Sequence, residues 1–157
     1  MKKTIFSTLL FVLITTSIFS QKTVPATTLN TLDGKTVSVN EVVKNNNITV
    51  IVFWAIWDNN GVNELNALNS KITAPFYAVS IDPKTDESKV LPFVQAKNWK
   101  YNFLLDPNKE LYRALGGKFP PMVLIVDNTG KVLYEKQGFA AGDEAIIIAK
   151  VNELSGK

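Results

Sequence analysis

The chain alternates short β-branched runs with stretches of helical period. Ile48 to Trp54 is a β-branched and aromatic run lacking the in-out alternation of a half-exposed strand, so it reads as a central strand covered on both faces. Beyond it Val62, Leu65, Leu68 and Ile72 recur at helical spacing, with Pro75 as the expected stop. Phe76 to Ile81 forms a second buried strand, followed by a loop from Asp82-Pro83. A helix over about 90–97 places Pro92 in its first turn, where a missing N–H costs little. Phe103 to Leu105 is a short strand; Asp106-Pro107 opens a helix through Leu115 that Gly116-Gly117 ends. Met122 to Val126 and Val132 to Gln137 are strands joined by a loop at 127–130. Asp143 and Glu144 suit the N-terminus of a last helix whose apolar stripe is Ile147, Val151 and Leu154. Ahead of all these, runs at 27–29 and 36–39 flank Asp33-Gly34, a hairpin signal. Asn40 is the expected cap of a helical turn over 41–44.

The resulting order is hairpin, β-α-β, α, β-α, β-β-α. Strands that first alternate with helices and then pair as neighbours imply an α/β fold: a mixed central sheet with helices on both faces and an N-terminal β-hairpin.

The first twenty residues follow different rules. Lys2 and Lys3 precede a mostly apolar stretch from Ile5 to Phe19, and the small Ser20 precedes the polar Gln21. This is the grammar of a secretory signal peptide, expected at 1–20, with a linker at 21–26 and one domain at 27–157. The apolar stretch is short of the ~20 residues of a membrane span, and membrane attachment would come only through an uncleaved signal. Removing the segment leaves 15 basic against 14 acidic residues, a net charge of +1. No Lys/Arg run then points to nucleic acid.

Composition narrows the chemistry further. The 157 residues contain no Cys and no His. Thiolate nucleophiles, disulfides, Ser-His-Asp and Cys-His catalysis and His- or Cys-based metal sites are thereby excluded. Asp82, Asp86 and Glu87 form an acidic loop without the alternating spacing of a calcium loop. Gly116-Gly117 lacks the Lys and Ser/Thr of a phosphate loop. No cofactor and no metal is expected.

Three segments, in order, carry a resemblance. FWAIWDNNGVNELNAL resembles the active-site segment of TlpA/ResA-type thioredoxin-like proteins (redoxin, AhpC/TSA-like), usually written FWAxWCxxCxxEL. Phe53, Trp54, Ala55, Trp57, Glu64 and Leu65 match it. Asp58 and Gly61 stand where the two cysteines should be, with Asn59 and Asn60 between them, and Asn66 stands where a helix-kinking Pro is common. FVQAKNWKYNFLLDPNKELYRAL resembles the stretch leading into the family's LLDP turn, and FPPMVLIVDNTGK resembles its PTTFLIDxxGK segment. The resemblance spans about residues 25–154. It implies a thioredoxin-like fold, a secreted, periplasmic location and a cis-proline at Pro121. It does not carry over the family's chemistry: thiol exchange needs a thiolate at the helix N-terminus and a second sulfur to resolve the mixed disulfide, and neither exists here.

Each candidate residue has a functional and a structural reading. Asp58 is a carboxylate acid, base or ligand hook, or, as favoured here, an N-cap. Gly61 fills the space of a small thiol or admits a partner's backbone. Trp54 is expected to pack. Trp57 is expected at the lip of the helix, as a polypeptide anchor or a ring lying over the core edge. Pro120-Pro121 shapes a loop that, in this fold, offers backbone groups to an extended peptide, less the N–H that Pro120 lacks. Glu64 is expected to be solvated and compatible with the helix dipole.

The expectation is a binding module, not an enzyme, holding an extended peptide or envelope protein at Trp57, Asp58, Pro120 and Pro121. The alternatives are an oxidoreductase-family component working with a partner's cysteines, a carboxylate activity through Asp58, and a structural subunit of an envelope complex. The sequence specifies no oligomeric state.

Overall fold

The computed structural model describes residues 21–156, so the expected signal segment at 1–20 lies outside the described residues. In chain order the elements are β1 (Thr28–Thr31), β2 (Thr36–Ser38), α1 (Val39–Lys44), β3 (Ile48–Trp54), α2 (Asn59–Leu68), β4 (Phe76–Ser80), α3 (Glu87–Lys97), β5 (Asn102–Leu105), α4 (Glu110–Ala114), β6 (Met122–Asp127), β7 (Val132–Gln137) and α5 (Asp143–Leu154). The strands form one mixed sheet in the order β2-β1-β5-β4-β3-β6-β7. β3, β4 and β5 run parallel, whereas β6, β7 and the β1-β2 hairpin join antiparallel.

The β3 run is continuous because both of its faces are covered. Val50, Val52 and Trp54 pack with Val62, Leu65 and Leu68 of α2, Val90 and Val94 of α3, and Ile147 and Val151 of α5. The alternate residues Ile51 and Phe53 meet Val39 and Val43 of α1 and Leu111 and Tyr112 of α4 on the other face. Each such side chain contributes about 1.5–3 kcal/mol on burial. Because β3 lies between β4 and β6, its C-terminal end sits in the middle of the sheet edge where the site forms. Among the described residues no helix is long and apolar enough to cross a membrane.

Three expectations need correction. Asn40 does not cap α1: it lies inside the helix, its Oδ1 buried without a partner, and Ser38 holds the cap position. The helix start is fixed instead by the Val39 N–H donating to Thr27 O at 3.0 Å. α2 ends at Leu68, well before Pro75: Asn69 leaves the helix and Ser70 turns left-handed at φ 62°, while Ile72 still packs on the core from outside the helix. α3 begins at Glu87, so Pro92 lies in its interior. The ring is tolerated because Pro92 and Ser88, whose carbonyl it leaves unpaired, are both exposed to water.

Candidate functional site

At the end of β3 the chain makes a tight connection into α2, and Asp82 holds that connection from below. Its buried carboxylate accepts the Ile56 N–H at 3.1 and 3.2 Å and the Ser80 hydroxyl at 2.8 Å. Burial raises its pKa, and the bonds from Ser80 and Ile56 oppose that rise. The other two acids of the same loop serve locally: Asp86 pairs with Lys89 and Glu87 with Lys84. So braced, the connection presents Trp57 to solvent at 56% exposure, with the Lys109 ammonium 5.7 Å from its ring centroid, a geometry for cation–π attraction. Trp54 is fully buried, edge-on to Trp99 at a centroid distance of 5.2 Å.

Asp58 caps α2. Its backbone is extended, and its carboxylate accepts the N–H of Asn60 at 3.2 Å and of Gly61 at 3.0 Å. Two of the helix's free N–H groups are thereby satisfied. Asn59 and Asn60 are exposed, whereas Gly61 is buried. A Cβ on Gly61 would lie 2.7 Å from Asp58 Oδ2 and 3.3 Å from Trp54 Cβ. The cap and the glycine are therefore one device, since the carboxylate folds over space that any side chain at 61 would claim.

The second wall is the loop before β6. Phe53 faces Met122 across the sheet, which brings the preceding Pro121 to the same end as Trp54. The Pro120–Pro121 peptide bond is cis. Pro121 is buried and its carbonyl accepts the Gly138 N–H at 2.7 Å. Gln137 pins the rest of the loop: its Oε1 accepts the Lys118 N–H and its Nε2 donates to Gly116 O, both at 3.0 Å. Phe119, at 55% exposure, projects outward between these ties. Tyr112 underlies the loop, and a Cβ on Gly117 would meet its ring at 2.2 Å, so only glycine fits there. The Tyr112 hydroxyl is buried without a hydrogen-bond partner among the described residues, and its pKa is raised first by burial and then by the Asp58 charge.

Glu64 overturns the expectation of a solvated side chain. It is fully buried, and among the described residues neither carboxyl oxygen has a hydrogen-bond partner. Burial pushes its pKa up to about 8; Lys136 opposes the rise, and Asp143 and Asp58 add to it. The helical pattern carried a signal: Glu64 precedes Leu65 and follows Gly61 by three, on the inward side of a helix whose outward residues are Asn. Asn66, at the position where the family often has proline, instead accepts the indole N–H of Trp99 at 2.8 Å, tying α2 to the segment before β5. Only contact across the fold reveals that role.

Taken together, the structure brings Trp57, Asp58 and Gly61 onto one helix start and sets Pro121 at the neighbouring strand end. The site has a carboxylate that is already committed to the backbone and no sulfur. These features define a thioredoxin-like protein whose helix start carries no thiol. The AhpC/TSA family profile matches residues 21–135, and the chain belongs to that family. No curated protein matches the sequence. Among solved structures, the chain is similar to an uncharacterised thioredoxin-like protein from Porphyromonas gingivalis at 34% identity, with 83% of this chain and 90% of that one covered and a TM-score of 0.71. It is similar in fold to a thiol:disulfide interchange protein from a Bacteroides species at 20% identity, covering 87% and 90%, with a TM-score of 0.69. A secreted Mycobacterium tuberculosis disulfide oxidoreductase homologous to Escherichia coli DsbE is another such neighbour, at 16% identity, covering 82% and 96%, with a TM-score of 0.69.

Proposed function

We propose that this chain is a secreted, periplasmic binding module that holds an extended polypeptide at the surface formed by Trp57, Asp58, Pro120 and Pro121, and that it performs no thiol-disulfide exchange of its own. The observation that carries the reading is the state of Trp57: a large indole left 56% exposed on a connection that the buried Asp82 braces. Ordered, exposed aromatic anchors are where binding energy concentrates. Pro121 spends its carbonyl on Gly138 and Pro120 has no N–H. The loop therefore offers a partner little backbone pairing, and affinity falls on side-chain contact with the indole.

The test is capture from a periplasmic extract, with wild-type protein and a Trp57→Ala/Pro121→Ala variant as baits, the mature bait lacking residues 1–20 by intact mass. Capture of a polypeptide by the wild type and its loss in the variant is expected; equal capture by both sinks the reading. A second reading, a component acting with a partner's cysteines, is favoured by fold neighbours described as interchange proteins and oxidoreductases. The same purified protein is expected to leave a model disulfide intact when alone. Reduction only on adding a captured, Cys-bearing partner would favour this second reading.

A further inference from the structure

Asn60 and Gly61 are the single Asn-Gly pair of the chain, and they lie in the first turn of α2. An Asn-Gly pair is where a backbone nitrogen attacks the neighbouring side chain most readily: with no Cβ on the second residue, nothing shields its nitrogen from the Asn amide carbon. Asn60 is exposed, so water reaches its amide. The nitrogens around it are held. The Asn60 N–H donates to Asp58 Oδ1 at 3.2 Å, the Gly61 N–H to Asp58 Oδ2 at 3.0 Å, and the Val62 N–H to Asp58 O at 3.0 Å. One residue thus clasps three successive N–H groups and fixes the backbone on both sides of the Asn60 side chain.

We propose that Asn60 is a self-modification site and that the Asp58 cap keeps it closed. When the cap opens, the Gly61 nitrogen gives its proton to solvent and attacks Asn60 Cγ. The new N–Cγ bond closes a five-membered imide, and the amide Cγ–N bond breaks with release of ammonia. One water then adds across either imide C–N bond, leaving aspartate at 60 or its isoaspartyl form, whose main chain runs through Cγ. No oxidant or reductant takes part. The closed cap opposes the attack in two ways. A helical Asn60 has ψ near about −42°, and closing the ring rotates that angle until the Gly61 nitrogen faces Cγ, which breaks its bond to Asp58 Oδ2. Loss of the nitrogen's proton beside a carboxylate is also disfavoured, because it would place two negative charges together. Either product puts a second carboxylate in the turn that Asp58 caps, and the isoaspartyl form lengthens the main chain there.

The test incubates purified protein at mildly alkaline pH and follows the mass gain of Asn-to-Asp conversion, site by site, by peptide mapping in wild type, Asp58→Ala, Gly61→Ala and Asp106→Ala. Wild type is expected to convert slowly and at Asn60, not at Asn59, which is also exposed. Asp58→Ala is expected to convert about fivefold faster, the factor that loss of a cap corresponds to. Gly61→Ala displaces the same carboxylate and is expected to stay unconverted, because its methyl shields the nitrogen. Asp106→Ala removes a carboxylate from a different helix start and is expected to keep the wild-type rate. An Asp58→Ala rate equal to wild type, an equal acceleration in Asp106→Ala, or conversion of Gly61→Ala at the wild-type rate would each overturn the gate. Were Asp58→Ala not to fold, Asp58→Gly, which a helix start tolerates better, takes its place: faster conversion supports the gate and an unchanged rate overturns it. No partner takes part, so the outcome is independent of polypeptide capture.

Discussion

Four residues ahead of α4, Asp106 is buried at 2% exposure, and its two oxygens accept the N–H of Glu110 and of Tyr112, each at 2.9 Å. Within α2, Glu64 is as deeply buried and accepts nothing. Both are buried carboxyl groups, but one completes a helix and the other has no hydrogen-bond partner among the described residues. Burial therefore does not decide what a carboxyl does here; the presence of donors does. Asp106 is part of the fold's construction, whereas Glu64 is a group the fold carries at a cost.

That contrast can be broken or sharpened in order of effect. The largest effect is expected from pH at Glu64. Its pKa rises from an ordinary 4.5 to about 8 on folding, so the native state holds the proton more tightly than the unfolded chain. The associated stability is fully present below about pH 4.5, declines as pH rises, and is gone above about pH 8, at up to about 1.4 kcal/mol per pH unit. Denaturant unfolding of wild type should thus lose roughly 3 kcal/mol between pH 5 and 8 that Glu64→Gln does not lose; parallel curves for the two proteins would refute the assignment. Next comes Asp106→Ala, which strands two N–H groups and should cost about 2–3 kcal/mol in the same assay at fixed pH. A cost under about 0.5 kcal/mol would show that water replaces the carboxylate and would erase the contrast. The smallest effect tests the shared cap. Asp58→Ala should cost about 1 kcal/mol. Gly61→Ala alone displaces the carboxylate and should cost a similar amount, whereas in the Asp58→Ala background it should be neutral or stabilising. Additive costs in the cycle would show that Asp58 and Gly61 are independent.

The sequence was most legible where one period dominates. β3 and β7 have the predicted bounds, and the hairpin turns at Gly34 in the left-handed region. Asp58 caps α2 as its residue type and position imply. Legibility failed where a distant partner decides. The end of α2 is not set by Pro75: the chain leaves the helix at Asn69, whose side chain accepts the Lys100 N–H at 3.3 Å. An interior proline is costly, which favours Pro92 at a helix start, but its solvent-facing position makes the interior cost bearable. Glu64 looks like a surface residue by type alone; its place on the inward side of α2, where α5 packs, points the other way, and it is buried. Asp82 belongs by sequence to an acidic loop, but it turns inward to hold the backbone ahead of Trp57.

The disposition of the three tryptophans also gives the molecule its own optical reporter. Trp54 and Trp99 are sealed in the core within 5.2 Å of each other, so their transitions couple and they are shielded from water-borne quenchers. Trp57, the third indole, meets solvent. Light emitted at the red edge of the tryptophan band, and the part of it that a soluble quencher can reach, therefore comes from the exposed start of α2 itself. Any change at that helix start can be followed in unlabelled protein, against a fixed internal background from the other two rings.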